Sequence, residues 1–390
     1  MPTTSLLSIT GHGEGTSRVT LQHLKLRSFR NITSLDLALP AEGMVIVGEN
    51  GHGKTNVLEA IYYVQLLRSF RGGRDHELVQ FGADAFHIAA ELDAAGAREL
   101  SVGFDRETKR KRVRVNGSVQ PRLADALGLF PSVIFSPRDS DLISGPPSLR
   151  RRFLDVMLGL TSRSYLNALQ QYRSALANRN AALRDCKGTA GDDSVAVWER
   201  PLAVQGAVLL SARRRWVADS AARFAGLCAT IGETDVPRMT YGTHLAESTA
   251  FQELSLIEDA LRSALERKRS LDVRRGLTHT GPHRDDLAFT LGGRALRAFG
   301  SSGQHRTAAI ALRLLEASTL RSATLQEPLV ILDDPFAELD ARRSARILHL
   351  LSRSEGGQTV LAVPRESDIP AELTRLGRWR ISAGKLEKAD

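Results

Sequence analysis

The chain has little with which to staple or anchor itself. Cys186 and Cys228 are its only cysteines in 390 residues. They form neither a zinc spacing nor a disulfide framework, and they suit a reducing cytosol. No apolar run reaches the length of about 18 residues that a spanning helix needs, which excludes an integral membrane role of that kind. Met1 to Ser17 lacks the charged and apolar regions of a secretory signal and reads as a disordered extension. Aromatic residues make up only 5%, so few platforms exist for stacking unpaired bases. Acids are the scarcer charge. Asp and Glu number 44 against 53 Lys and Arg, a formal net charge of +9. That excess favours a polyanionic partner without separating nucleic acid from a membrane surface.

What is present starts with Gly48-Glu49-Asn50-Gly51-His52-Gly53-Lys54-Thr55, a match to GxxxxGK followed by Ser or Thr. The apolar run Met44–Val47 precedes it and a helical pattern, Val57 to Val64, follows. Strand, loop and helix in that order are the setting of a phosphate-binding loop. Its glycines let backbone N–H groups curl around phosphates, and Lys54 reaches the β- and γ-phosphates. The Thr55 hydroxyl is placed for Mg²⁺. Gly48 to Thr55, with Asn56 behind them, are therefore the expected ATP contacts.

Periodicity divides the rest. Leu24 and Leu26, then Leu35, Leu37 and Leu39, alternate with polar neighbours and predict an antiparallel pair. Strict alternation from Lys111 to Val119 around Asn116-Gly117 predicts a hairpin with Arg112 and Arg114 outward. Helical patterns run over about 149–160, 163–184, 195–228 and 251–267, and a long helix over 303–320. The expected architecture is an α/β P-loop ATPase head, a mixed sheet with helices, carrying a mainly helical inserted subdomain. Residues 18–148 and 279–390 form the two parts of the ATPase domain, and 149–278 form the insertion as a second domain.

A P-loop needs a second acidic site. Leu329-Val330-Ile331-Leu332-Asp333-Asp334 supplies one at a strand end. Asp333 is expected to support Mg²⁺, and Asp334 to prepare the attacking water. Asp340 reads equally as a helix N-cap or a functional acid. Ser301, Ser302, Gly303 and Gln304 open the long helix, where free N–H groups can sense a γ-phosphate. His283 with Asp285 and Asp286 reads as a polar turn before a strand more readily than as a metal or acid–base cluster. Arg150-Arg151-Arg152, Lys109 to Arg112 with Arg114, and Arg267 to Arg269 with Arg274 and Arg275 are candidate phosphate contacts on DNA.

Six stretches together resemble the RecF family of bacterial recombination and repair proteins. They are Leu24 to Ile32, the P-loop, Phe135 to Leu142, Gly145 to Asp155, Gly281 to Leu287, and Phe299 to Asp340. The resemblance implies an ABC-type, SMC-like ATPase head without a long coiled coil. It implies weak, DNA-stimulated ATP hydrolysis and an ATP-dependent homodimer in which Ser301 to Gln304 of one copy close over ATP held by the other. Glu338, Leu339 and Asp340 are then expected at the same seam. It further implies binding to duplex, single-stranded and gapped DNA, partnership with RecR and RecO, RecA loading and a part in the SOS response, in the cytoplasm at the nucleoid. His305 stands where the family often has a second Gln, and no switch residue is evident in Ala362 to Arg365. A low-turnover DNA and RecR scaffold, or a P-loop small-molecule kinase, are the alternative readings.

Overall fold

A computed structural model describes residues 17–93, 98–186, 193–245, 253–336, 340–352 and 357–389. Its centre is a six-stranded sheet. From edge to edge the strands are Lys385–Lys388, Gly377–Ser382, Gly43–Val47, Thr359–Val363, Leu329–Asp333 and Ser132–Phe135. All neighbours run parallel except the edge pair of Gly377–Ser382 with Lys385–Lys388. The inner strands are continuous apolar runs because both faces of a parallel sheet are covered. Met44, Ile46, Ile331 and Val360 face one side. Val45, Val330, Leu332 and Leu361 face the other.

The first side packs on the helix Lys54–Leu66, and that helix is roofed by a second six-stranded, antiparallel sheet. In this sheet Leu24 and Leu26 pair across from Leu37 and Leu35, as the alternation predicts, and all four are buried. Its far edge is the predicted hairpin, Arg110–Val115 with Ser118–Val119. Asn116 at φ 49° and Gly117 at φ 77° give the turn the left-handed pair of residues that matches strand twist. Arg112 and Arg114 are exposed there.

The second side packs on the long helix Ser302–Thr324 and on the helices of the middle segment. These are Pro147–Thr161, Arg163–Asp185, Glu199–Ile231 and Leu254–Arg275. Phe153, Met157, Leu209 and Trp216 share one apolar cluster with sheet residues Val45 and Val330. The middle segment thus has no separating layer between its core and the sheet. The pattern expected over 195–228 is two helices, a short one at Asp193–Ala196 and the long one from Glu199, with Pro201 tolerated in the first turn. The helix expected to stop at Arg267 continues to Arg275, where Gly276 at φ 64° ends it.

Arg179 ties this segment together at full burial. Its Nη1 donates to Asp272 Oδ2 at 2.7 Å and to Thr278 Oγ1 at 2.9 Å, and its Nη2 to Glu199 Oε1 at 3.0 Å. Arg269 reaches the same Glu199 through Nε at 2.9 Å. Arg179 thus bridges two buried carboxylates on two helices, a task its planar fork suits, while Arg269 shares the charge of Glu199.

Candidate nucleotide site

Parallel strands open their carboxyl ends to loops, and ligands collect there. The loop after Gly43–Val47 and the end of Leu329–Asp333 lie at that edge, one on each side of Thr359–Val363. Gly53 has φ 112°, and a Cβ on it would meet Asn31 Oδ1 at 2.9 Å. A Cβ on Gly48 would lie 2.5 Å from the Ile381 carbonyl oxygen. Glycine is required at both, by conformation at Gly53 and by space against the backbone at Gly48.

Lys54 is nearly buried, and Nζ donates to the carbonyls of Gly48 at 2.5 Å and Glu49 at 3.0 Å. Burial lowers its pKa, and the charges of Asp333 and Asp334 push the other way. Thr55 Oγ1 donates to Asp333 Oδ1 at 3.0 Å, joining residues 278 positions apart. Burial raises the Asp333 pKa while the Thr55 hydroxyl, Arg71 and Lys54 oppose it. Burial also raises Asp334, Asp368 adds to this, and Arg306 and Lys54 oppose it. Asp334 turns out of the strand at φ 46°, so its side chain leaves the direction Asp333 takes. Gly48 to Asn56, Asp333 and Asp334 therefore form one constellation around the P-loop helix N-terminus.

Ser301 to Gln304 stand elsewhere. Ser301 caps the helix Ser302–Thr324 in a capping box: its N–H donates to Gln304 Oε1 at 2.9 Å, and its Oγ accepts from Gln304 N at 3.3 Å. Ser301 and Ser302 are exposed, and the tip makes no hydrogen bond to the P-loop among the described residues. His305 pins the segment before the tip through Nε2 to the Leu296 carbonyl at 2.8 Å. Asp340 Oδ1 accepts from Arg343 N at 2.8 Å and caps the helix Ala341–Ser352. Glu338 and Leu339 lie outside the described residues.

Three residues at the site carry roles the sequence reading did not assign. Asn31 donates from Nδ2 to the His52 carbonyl at 3.2 Å and accepts from Asn56 Nδ2 at 2.8 Å, bracing the loop from the antiparallel sheet. Arg30 grips the fully buried Glu59 with two bonds of 2.9 Å. Arg71 donates to Asn56 Oδ1 at 3.1 Å from the loop after the P-loop helix. Its only sequence mark is the flexible Gly72-Gly73 beside it.

Two other constellations are structural. Arg150, one of the expected DNA contacts, is buried: Nε and Nη2 hold both oxygens of Asp286 at 2.7 and 2.9 Å. Its Nη1 donates to the Gly145 carbonyl at 2.8 Å, so it has no capacity left for a phosphate. Arg151 and Arg152 donate to the carbonyls of Asp285 and Ser69. Asp285 Oδ2 accepts from Tyr241 Oη at 3.0 Å, and His283 Nδ1 lies 2.6 Å from Tyr172 Oη. The polar turn is a packing node and not a metal cluster, and among the described residues no group of three such ligands exists.

His283 makes that node sensitive to acid. Burial lowers its pKa from 6.5 to about 4. As pH falls, the unfolded chain takes up this proton first, so stability is full above the ordinary histidine range and drains toward the folded value. Moving from neutral pH to about pH 5 should cost the parent ~2 kcal/mol through this group. Thermal denaturation of the parent and His283→Gln checks it. Their stability gap should shrink by that amount at the lower pH, and a gap independent of pH refutes the assignment.

Comparison with known proteins agrees with this geometry. The family described as RecF/RecN/SMC N terminal domain matches residues 20–370. The DNA replication and repair protein RecF of Roseiflexus castenholzii is 36% identical, covering 94% of this chain and 99% of its own. That of Frankia alni is 37% identical, covering 95% and 99%. A solved structure of the recombination mediator protein RecF-ATP in the RecFOR pathway superposes with a TM-score of 0.88 at 29% identity, over 97% of this chain and all of that one. Similarity of that extent, reaching from the first antiparallel strand through the P-loop to the Asp333 strand, makes this chain a member of the RecF family of DNA replication and repair proteins, built on the ABC-type, SMC-like ATPase head.

Proposed function

We propose that the chain binds and slowly hydrolyses ATP, pairs with a second copy when ATP is bound, and couples that cycle to DNA in gap repair, RecA loading and the SOS response, with RecR and RecO as partners. The observation that carries this reading is the 3.0 Å bond between Thr55 Oγ1 and Asp333 Oδ1. A hydroxyl and a carboxylate held together beside a phosphate loop are the two protein oxygens that Mg²⁺ takes when triphosphate and water complete its shell. Bound there, Mg²⁺ would neutralise the developing charge on the β- and γ-phosphates. Lys54 would exchange its two carbonyl partners for phosphate oxygens. Asp334 would accept a proton from water as the water oxygen bonds to the γ-phosphorus and the bridging P–O bond to ADP breaks. The exposed, pre-capped Ser301–Gln304 tip supports action across a dimer, since it is ordered yet turned toward solvent.

Lys109, Arg110, Arg112, Arg114, Arg267, Lys268, Arg274 and Arg275 are the exposed members of the basic stretches and the proposed backbone contacts. Hydrolysis should rise on adding duplex, most on gapped duplex, and fall back steeply between about 50 and 200 mM salt. ATPase assays with duplex, single-stranded and gapped DNA at both salt levels decide this. Equal rates with and without DNA count against coupling.

A further inference from the structure

A large cavity lies at the far end of the P-loop helix. It is a cleft of about 950 Å³ between the end of the P-loop helix, the hairpin sheet and the helices Pro147–Thr161 and Arg163–Asp185. Seven Arg and Lys side chains line it against two carboxylates, and both carboxylates are committed. Asp75 takes Lys111 Nζ at 2.7 Å and Tyr63 Oη at 2.7 Å. Asp155 takes Arg213 at 2.6 Å and Arg173 at 3.0 Å. Arg68 makes no side-chain hydrogen bond or ion pair to any described residue; Arg152 and Arg173 repel it, and its one attracting carboxylate, Asp75, is the one already taken by Lys111. Arg152 itself donates only to a carbonyl, that of Ser69, at 3.2 Å. Like charges gathered in a cleft are relieved by an anion from outside the chain.

Leucines complete the lining: Leu127, Leu160, Leu166 and Leu169 belong to it, together with the exposed Leu123. Nucleobases prefer aromatic faces, and the one aromatic here, Tyr172, has its hydroxyl bound to His283 at 2.6 Å. Carboxylates suit the arginine fork, and branched aliphatic side chains suit the leucine lining. We propose that this cleft is a docking site for a short acidic peptide segment of a partner protein, its carboxylates held by Arg68, Arg152 and Arg173 and its apolar side chains against the leucines. The site is independent of the nucleotide reading.

Fluorescence anisotropy of labelled Asp-Leu-Asp-Asp-Leu-Leu on the full chain, without nucleotide, tests it. Saturable binding is expected, weakened about tenfold or more by Arg68→Glu. Leu123→Ser should weaken it roughly threefold, as loss of part of one apolar contact. Both residues are exposed, so melting temperatures should match the parent, and Arg275→Glu outside the cleft should leave affinity unchanged. Peptides with Asn for Asp, or Ser for Leu, should bind poorly. The proposal is overturned by no saturation at about 1 mM, by equal affinity in parent and Arg68→Glu, or by oligothymidylate binding that Arg68→Glu weakens in place of peptide binding.

Discussion

Lys54→Ala should leave a folded protein that no longer pairs in ATP. In the proposed site the lysine would give charge-assisted bonds to two phosphates, and losing them should weaken ATP by on the order of 100-fold. Asp334→Asn should do the reverse. It keeps size and hydrogen bonding but removes the proton acceptor, so hydrolysis should fall about 10²–10⁴-fold while ATP binding persists. Light scattering with and without ATP reads both: monomer throughout for Lys54→Ala, and a dimer that outlasts the parent's for Asp334→Asn. An unchanged monomer–dimer balance in both variants ends the dimer-switch reading. The two acids are separable because Asp333 bonds Thr55 while Asp334 has already left the strand at φ 46°.

The second large effect is expected far from the nucleotide. Arg179→Leu strips the fully buried Asp272 of its only arginine, leaving it His279, and removes one of the two guanidinium partners of Glu199, the other being Arg269. Breaking a buried pair from one side costs about 3–5 kcal/mol. For helices that share their core with the sheet of a chain this long, that is roughly 4–6 °C in melting temperature. Arg179→Leu combined with Asp272→Leu should recover part of it, since the second change removes the stranded charge. Calorimetry on the three proteins is the check, and a shift below about 2 °C for the single variant contradicts the account.

The sequence displayed those parts of the fold whose physics is local. Met44–Val47 before a glycine-rich loop, the Asn116-Gly117 turn and the Leu329–Asp333 strand each follow from period, run length or turn chemistry. Ser132–Phe135 and Gly377–Ser382 escaped because four to six residues beside helical segments carry no periodicity that separates strand from loop. Pro237–Gly242 escaped because its pairing with Asp286–Leu291 is visible only in three dimensions. The same limit governs the site. Lys54, Thr55 and Asp333 announce themselves by motif, whereas Asn31 and Arg71 act through partners 21 and 15 positions away. Arg150 looked like a phosphate ligand because a run of three arginines hides which one points inward.

Gly48 rests against Ile381, and Thr55 against Asp333, so the proposed nucleotide cradle is closed by segments made long after the P-loop on the ribosome. A nascent chain that has emerged only through its P-loop helix owns the phosphate motif but not the floor beneath it or the metal-side carboxylate. On the proposed function, a fragment that ends before Ile381 should therefore hold ATP poorly and fail to pair with finished copies.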